Sequence, residues 1–282
     1  MTGRHVESAY AKINLALHVR RRRADGYHDI ETIFAFAEHG DLIDIVDGAA
    51  GLALTGPFGG ALATDNAEDN LVMRAARRLA ALLGQGDPPA LRLDKRLPVA
   101  AGVGGGSADA AAALRMLSRS YGVAIDDPRI VELARELGAD VPACLASATL
   151  RGDGRGDALT SIASSALAGL PLLLVNPGTP LATGPVFAGW DGIDRGPLAP
   201  GDPLAAALAG RNDLEPPARK LCPVIGDVVA MLADQPGVLL ARMSGSGATC
   251  FALFDDEHKR DAADQRIAAA HPDWWRLASR LR

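Results

Sequence analysis

Apolar and polar residues alternate over 12–19, putting Ile13, Leu15, Leu17 and Val19 on one face of a predicted strand. The same period of two gathers Lys12, Asn14, Ala16 and His18 on the opposite face. Four arginines, Arg20 to Arg23, and the turn signal Ala24-Asp25-Gly26 then lead into 30–37, the pattern of a hairpin with a solvated end. Alternation returns at 41–46 as a further strand, and 56–60 reads as loop. Leu71, Ala75, Leu79 and Leu82–Leu83 recur at helical spacing, so a helix is predicted over 70–83, ended by Gly84. A strand at 90–97 runs into a glycine-rich segment, which passes directly into an alanine-rich helix carrying Leu114, Leu117 and Tyr121. The next helix has Asp127 as N-cap, Pro128 as its first residue and Gly138 as the C′ residue.

Beyond residue 150 the signals are shorter. The segment 151–157 (R-G-D-G-R-G-D) is the candidate junction between domains, 170–175 reads as a buried strand, and 197–203 as a surface loop. Helices are predicted at 217–221 and 225–232, strands at 238–243 and 250–254, a polar helix at 258–270, and a short tail with Trp274 and Trp275. Strands and helices mix without strict alternation, which makes the fold class α+β. With 282 residues, 48% hydrophobic and 22% charged, the chain has the apolar material for one large or two modest cores. The net charge of −5 argues against a surface built for nucleic acid or anionic lipid. No apolar run approaches a membrane span, and no apolar h-region separates Arg4, Glu7 and Lys12, so neither a membrane anchor nor a secretory signal is expected. Cys144, Cys222 and Cys250 are odd in number and far apart, which suits a reducing cytoplasm and not a disulfide framework.

The strongest chemical signal is Gly102-Val103-Gly104-Gly105-Gly106-Ser107. Its glycines let the backbone approach a ligand, and the helix that follows points free N–H groups and its positive dipole end into the same space, which suits a phosphate. The alternative is a glycine-rich turn capped by Ser107. No Lys follows the glycines and the third glycine of G-x-G-x-x-G is missing, so neither of those nucleotide motifs is present. Lys12 and Asn14 could reach a phosphate or hydroxyl from one strand face, or Lys12 could be a solvated edge residue. Asp140 either projects a carboxylate into a cleft or caps a short helix near Pro142. Ser244–Thr249 is a second small-residue loop, either lining a phosphate pocket or closing a hairpin. Tyr27-His28, at a loop tip, could stack a nucleobase or be surface aromatics without a role. The histidines show no zinc spacing, and no nucleophile elbow is present.

These segments together resemble the GHMP kinase superfamily. The resemblance rests on Ala9-Tyr10-Ala11-Lys12-Ile13-Asn14-Leu15, Asp25-Gly26-Tyr27-His28, Asp69-Asn70-Leu71, Leu97 through Asp109, Gly138-Ala139-Asp140-Val141-Pro142, Asn176-Pro177-Gly178, Asn212-Asp213-Leu214 and Ser244–Thr249. The first, second and fifth of these are similar to the branch that phosphorylates 4-diphosphocytidyl-2-C-methyl-D-erythritol in the non-mevalonate route to isopentenyl diphosphate. The resemblance implies a two-domain α+β fold: an N-terminal domain (1–160) with a left-handed β-α-β crossover, a C-terminal ferredoxin-like domain (161–282), and an active site in the cleft between them. It implies ATP and Mg2+ as cofactors, with ATP held by Lys95, Pro98, Val99, Ala100, Ala101, Gly102, Val103, Gly104, Gly105, Gly106, Ser107 and Ala108, Lys95 lying near the adenosine end. It also implies Lys12 and Asp140 as catalytic residues, with Asn14, Tyr27, His28 and Thr183 on the acceptor. A small-molecule partner, no nucleic acid or membrane, and a cytoplasmic monomer or weak homodimer complete the expectation. Val103, Ala108 and Asp157 depart from the residues usual in the superfamily at those places (Leu, Ser and Glu), and 191–200 matches none of its motifs.

Overall fold

A computed structural model describes residues 6–62, 70–163 and 165–282. Arg4 and Asp69 lie outside the described residues. In chain order the elements begin with β1 (Val6–Arg22), β2 (His28–Ile45), β3 (Leu52–Thr55), α1 (Gly59–Leu62), α2 (Leu71–Leu82) and β4 (Leu91–Asp94). There follow α3 (Gly105–Ser120), α4 (Pro128–Leu137), α5 (Val141–Ala146), β5 (Leu150–Gly154), β6 (Ala158–Ser161), β7 (Pro171–Asn176) and α6 (Thr183–Ala188). The chain ends with α7 (Pro203–Ala209), α8 (Glu215–Leu221), α9 (Val224–Ala233), β8 (Val238–Met243), β9 (Cys250–Phe254), α10 (Glu257–Ala270) and β10 (Trp275–Arg280). None of the helices among the described residues is long and apolar enough to cross a membrane.

The chain divides into two compact units, each assembled from several segments. The first holds the chain through Ala11, His39–Val99 and Gly104–Ser147; the second holds Lys12–Glu38, Ala100–Val103 and Ala148–Arg282.

In the first unit, Leu42–Ile45 of β2 pairs antiparallel with β4. This segment is the end of one long strand and not the separate strand its alternation suggested. β3 and β4 pair in parallel, Leu52 opposite Leu91, so the stretch with α1 and α2 is a β-α-β crossover. Helix α2 starts where Asn70 Oδ1 accepts from Val72 N at 2.9 Å, and α4 where Asp127 Oδ1 accepts from Arg129 N at 2.9 Å with Pro128 behind it. Gly138 is extended, φ 167°, and forms the C-cap itself instead of a left-handed C′ residue. Val72, Met73, Ala76 and Leu79 of α2 and Leu114 and Leu117 of α3 are all at most 1% exposed, each large side chain contributing roughly 1.5–3 kcal/mol of burial. The small alanines of α3 allow close helix approach.

In the second unit the predicted hairpin turns at Arg23–Tyr27, Arg23 N donating to Tyr27 O at 2.8 Å. Ile30–Phe34 of β2 pairs antiparallel with β5, and β5 with β6. The segment 151–157 is therefore a strand and its turn, not a connecting loop. A second sheet has the order β10-β7-β9-β8, antiparallel throughout. With helices between β7 and β8 and α10 between β9 and β10, this is the β-α-β-β-α-β pattern of a ferredoxin-like domain. The tail after Trp274 is its edge strand β10, paired with β7 from Trp275–Asn176 to Arg280–Pro171. Every residue of β7 and β9 is buried. Val175, Cys250, Ala252 and Phe254 share a core with Ile225, Val228 and Leu232 of α9 and Ala263 and Ile267 of α10.

Candidate functional site

The glycine run begins helix α3 earlier than a serine cap would. Gly104 is the N-cap, held left-handed at φ 63°, and it brings no side chain to the helix end. Gly105, Gly106 and Ser107 are the first three helical residues, whose N–H groups have no partner inside the helix. Ser107 is thus not the cap. Gly106 is exposed, its φ is not left-handed, and a Cβ built on it meets nothing within 4 Å. Neither backbone strain nor crowding within the protein requires glycine there. The open space over free helix N–H groups fits a phosphate.

The preceding part of the run, in the second unit, is packed on backbone. Thr249 N donates to Ala101 O at 3.1 Å, and Lys12 N to Val103 O at 3.0 Å. A Cβ on Gly102 would stand 2.6 Å from Gly247 O and 2.7 Å from Ser244 O. Ser244–Thr249 is a hairpin turn joining β8 to β9, closed by Ser244 N to Thr249 O at 2.9 Å, and it also buttresses the glycine run. Two small-residue loops about 140 positions apart in sequence therefore form one backbone-lined floor.

Lys12 is 4% exposed, so it is no solvated edge residue. Its Nζ donates to Asn14 Oδ1 at 2.9 Å and lies 5.5 Å from the centre of the Phe34 ring. Asn14 Nδ2 donates to Thr32 Oγ1 at 2.8 Å, and Thr32 Oγ1 donates to Ala16 O at 2.6 Å. This chain fixes the amide so that its oxygen faces the ammonium. Asn14 N donates to Ser244 Oγ at 3.2 Å, and Ser244 Oγ to Gly102 O at 3.0 Å, tying the strand to the floor. Gly245 completes the group: a Cβ there would be 3.1 Å from Asn14 Oδ1 and 3.9 Å from Lys12 Nζ.

Lys95, expected near the adenosine end of ATP, lies in the first unit between two carboxylates. It is 2% exposed, and its Nζ donates to Asp41 Oδ2 at 2.5 Å and Asp109 Oδ2 at 2.7 Å. Burial works against the ammonium, but Asp109 and Asp41 together raise its pKa. Burial pushes the Asp109 carboxyl up to about 8; Lys95 pulls against this and Asp41 adds to it.

Asp140 is half-buried at the start of α5. It is the N-cap residue of that helix; its carbonyl accepts from Cys144 N at 3.0 Å, and its side chain makes no capping hydrogen bond. The structure gathers Lys12, Asn14, Ala100–Val103 and Ser244–Thr249 in the second unit, and Lys95, the α3 N-terminus and Asp140 in the first. Tyr27 and His28 do not behave as a pair. The Tyr27 ring is 55% exposed with the Arg155 guanidinium 5.3 Å from its centre. The His28 ring is buried, 5.1 Å from that of Phe187 and edge-on to that of Trp190 at 5.8 Å. Burial, and then the charge of Arg22, lower the His28 pKa, so the ring is neutral at pH 7. Thr183 Oγ1 lies 3.0 Å from Ser246 Oγ, at the floor loop.

Sequence reasoning missed Thr32, Phe187 and Trp190. Thr32 carries no signal of its own; its role comes from cross-strand pairing. The two aromatics sit in and just after a short helix too weakly patterned to be read. Segment 191–200 is fastened to the second unit: Arg20 pairs with Asp194, Arg151 Nη1 donates to Leu198 O, and Gly196 O lies 3.2 Å from His18 Nδ1.

A family described as "GHMP kinases N terminal domain" matches residues 70–148, and "GHMP kinases C terminal" matches 201–273. A protein of Rhizorhabdus wittichii named 4-diphosphocytidyl-2-C-methyl-D-erythritol kinase is 72% identical over 276 residues, covering 98% of this chain and 94% of its own. A solved structure of 4-(cytidine 5'-diphospho)-2C-methyl-D-erythritol kinase superposes with a TM-score of 0.78 at 33% identity, covering 98% of each chain. A homoserine kinase from Cytophaga hutchinsonii superposes with a TM-score of 0.68 at 17% identity over 99% of this chain and 96% of that one, a likeness of fold alone.

Proposed function

The chain belongs to the GHMP kinase family, and within it to the 4-diphosphocytidyl-2-C-methyl-D-erythritol kinases; on that basis we propose the reaction it catalyses. The γ-phosphoryl group of ATP passes to the 2-hydroxyl of 4-diphosphocytidyl-2-C-methyl-D-erythritol, leaving the 2-phosphate and ADP, in the cytoplasm and on the non-mevalonate route to isopentenyl diphosphate. The observation that carries the phosphoryl chemistry is the bare glycine cap of α3 beside the open space at Gly106. The two family matches fall one inside 1–160 and one inside 161–282, in keeping with an N-terminal and a C-terminal kinase domain over those spans.

Phosphoryl transfer asks for positioning and charge stabilisation more than covalent chemistry. The N–H groups of Gly105, Gly106 and Ser107, with the α3 dipole, hold the phosphates. Asp140 accepts the proton of the acceptor hydroxyl as general base. Lys12, held by the Asn14 oxygen, lowers the pKa of that hydroxyl and offsets charge as the bond forms. Tyr27 offers the cytosine an exposed ring face, and the His28 ring, whose Nε2 accepts from Arg22 Nε at 3.4 Å, offers its Nδ1. Thr183 lines the acceptor side. Among the described residues no three His, Cys, Asp or Glu side chains converge as a metal site. Mg2+ would arrive with the triphosphate, since this ion commonly uses phosphate oxygens, water and one or two protein oxygens; Ser107 Oγ is the protein donor we assign. When bound, Mg2+ would supply positive charge that offsets the charge of the phosphates.

The test is phosphate transfer from ATP to a panel of alcohols: 4-diphosphocytidyl-2-C-methyl-D-erythritol, homoserine, mevalonate and galactose, with the product located by phosphorus NMR. The expected result is turnover of the first alone, phosphorylated at the 2-position. Comparable kcat/KM on another alcohol, or phosphorylation at another oxygen, overturns the assignment.

A further inference from the structure

Arg115 stands in the third turn of α3, and the reaction as proposed does not use it. Its side chain is 12% exposed, and each of its three guanidinium nitrogens donates within the first unit. Nε donates to Glu7 Oε1 at 2.7 Å and Nη2 to Ser8 O at 2.7 Å, at the start of β1. Nη1 donates to Cys144 O at 2.6 Å and Ser147 Oγ at 2.9 Å, at the end of α5. Cys144 O lies in the last turn of α5, where a helix cannot bond its own carbonyls, and a positive charge suits that end of the helix. Ser147 ends α5 in the left-handed conformation, φ 46°, which a residue with a side chain rarely adopts. Its hydroxyl donates to Cys144 O at 2.5 Å, so Arg115 holds the strained residue together with the carbonyl it caps.

With six residues, α5 is too short to hold its place by itself, so its packing against α3 decides where it lies. The buried side chains of α3 at 108 and 110–113 are all alanine, which interlock less than larger ones do and leave the register of the two helices loosely set. The Arg115 fork supplies the direction that this packing lacks.

We infer that Arg115 is a positioning residue for Asp140, which stands at the opposite end of α5. By fastening the end of α5 to α3 it sets the distance from the α3 N-terminus to the Asp140 carboxylate. Arg115 is ten residues beyond Gly105, about 15 Å along the helix, so it acts through α5 and not on the phosphates. The inference rests on Asp140 being the general base.

The experiment is a double-mutant cycle on the full chain: Arg115→Met and Asp140→Asn singly and together, with Arg115→Lys as the milder change. Tm, kcat and KM for ATP and the acceptor are measured on each. Arg115→Met is expected to lower kcat about 10- to 100-fold, as misplacing reacting groups by about 1 Å does, with both KM values within about threefold of wild type. Arg115→Lys keeps a cation without the fork, and its kcat should fall between the two. Added to Asp140→Asn, Arg115→Met should cost less than about twofold more in kcat, because the group whose place it sets is already gone. A structural role alone makes the two losses multiply. Multiplied losses, or kcat within about twofold of wild type in both Arg115 variants, overturn the inference. If Arg115→Met does not fold, the cycle is run with Arg115→Lys; if neither folds, Arg115 is a structural residue and the inference fails. Asp140→Asn alone separates the two claims: near-normal turnover overturns the base assignment and with it the inference, whereas slow turnover with multiplied losses removes only the role of Arg115.

Discussion

Replacing Gly102 by alanine puts a methyl group 2.6 Å from Gly247 O, 2.7 Å from Ser244 O and 2.9 Å from Gly247 N, all backbone atoms that cannot swing aside. It also holds an L-residue at φ +75°, which costs roughly 1 kcal/mol. Forcing the floor loop to move adds about 1–3 kcal/mol, as overpacking does in well-packed interiors. The sum, about 2–4 kcal/mol, corresponds to a fall of about 4–16 °C in Tm for a chain of this size class. Gly106→Ala is the matched control, four residues on. Its methyl meets nothing within 4 Å, and alanine gains up to about 1 kcal/mol of helix propensity over glycine. Its Tm should therefore hold or rise, while KM for ATP increases at least about tenfold, because the methyl occupies the space assigned to phosphate. Differential scanning calorimetry with steady-state kinetics on both variants decides the matter. Gly106→Ala with wild-type KM for ATP refutes the phosphate assignment; Gly102→Ala within about 0.5 kcal/mol of wild type refutes the packing argument.

Asp140→Asn should keep ATP binding and lose at least about 10²-fold in kcat, the lower end for a general base; near-normal turnover removes it from that role. Tyr27→Ala should raise KM for the acceptor and leave KM for ATP alone, so a defect on the ATP side alone would contradict the cytosine assignment. Stability should fall as pH drops through 6.5, partly because of His18, whose pKa is lowered from 6.5 first by burial and then by the Arg211 charge. The folded ring binds its proton less readily than the unfolded one, so the contribution is complete above 6.5 and is lost as acid protonates the unfolded chain. Urea denaturation from pH 7.5 to 5 should show this slope, and His18→Gln should reduce it; an unchanged slope would clear His18.

Much of the local architecture is legible without coordinates because it depends on near neighbours. Asn70 and Asp127 announce their helices by side-chain capping, and Arg23–Tyr27 turns as Asp25-Gly26 requires. The ferredoxin-like order of the second sheet is not legible in this way. Its edge strand β10 lies in a tail whose charged and aromatic residues show no alternation, and pairing with β7 about 100 residues earlier makes it a strand. Likewise 151–157 carries the glycines of a loop, yet β2 recruits its first half into a sheet.

The candidate site divides along the same line. The sequence alone determined that a run of glycines opens a helix and that Lys12 and Asn14 share a strand face, since both follow from backbone period and the missing Cβ. Tertiary structure decided which side chains are left to meet a ligand. It buried every residue from Ala11 to Val19, so that Asn14 and Thr32 orient Lys12; it turned His28 against Phe187 and Trp190; and it withdrew Lys95 between two carboxylates. The physical reason is that a charge's partners and its exposure depend on distances between residues far apart in the chain, which local periodicity does not encode.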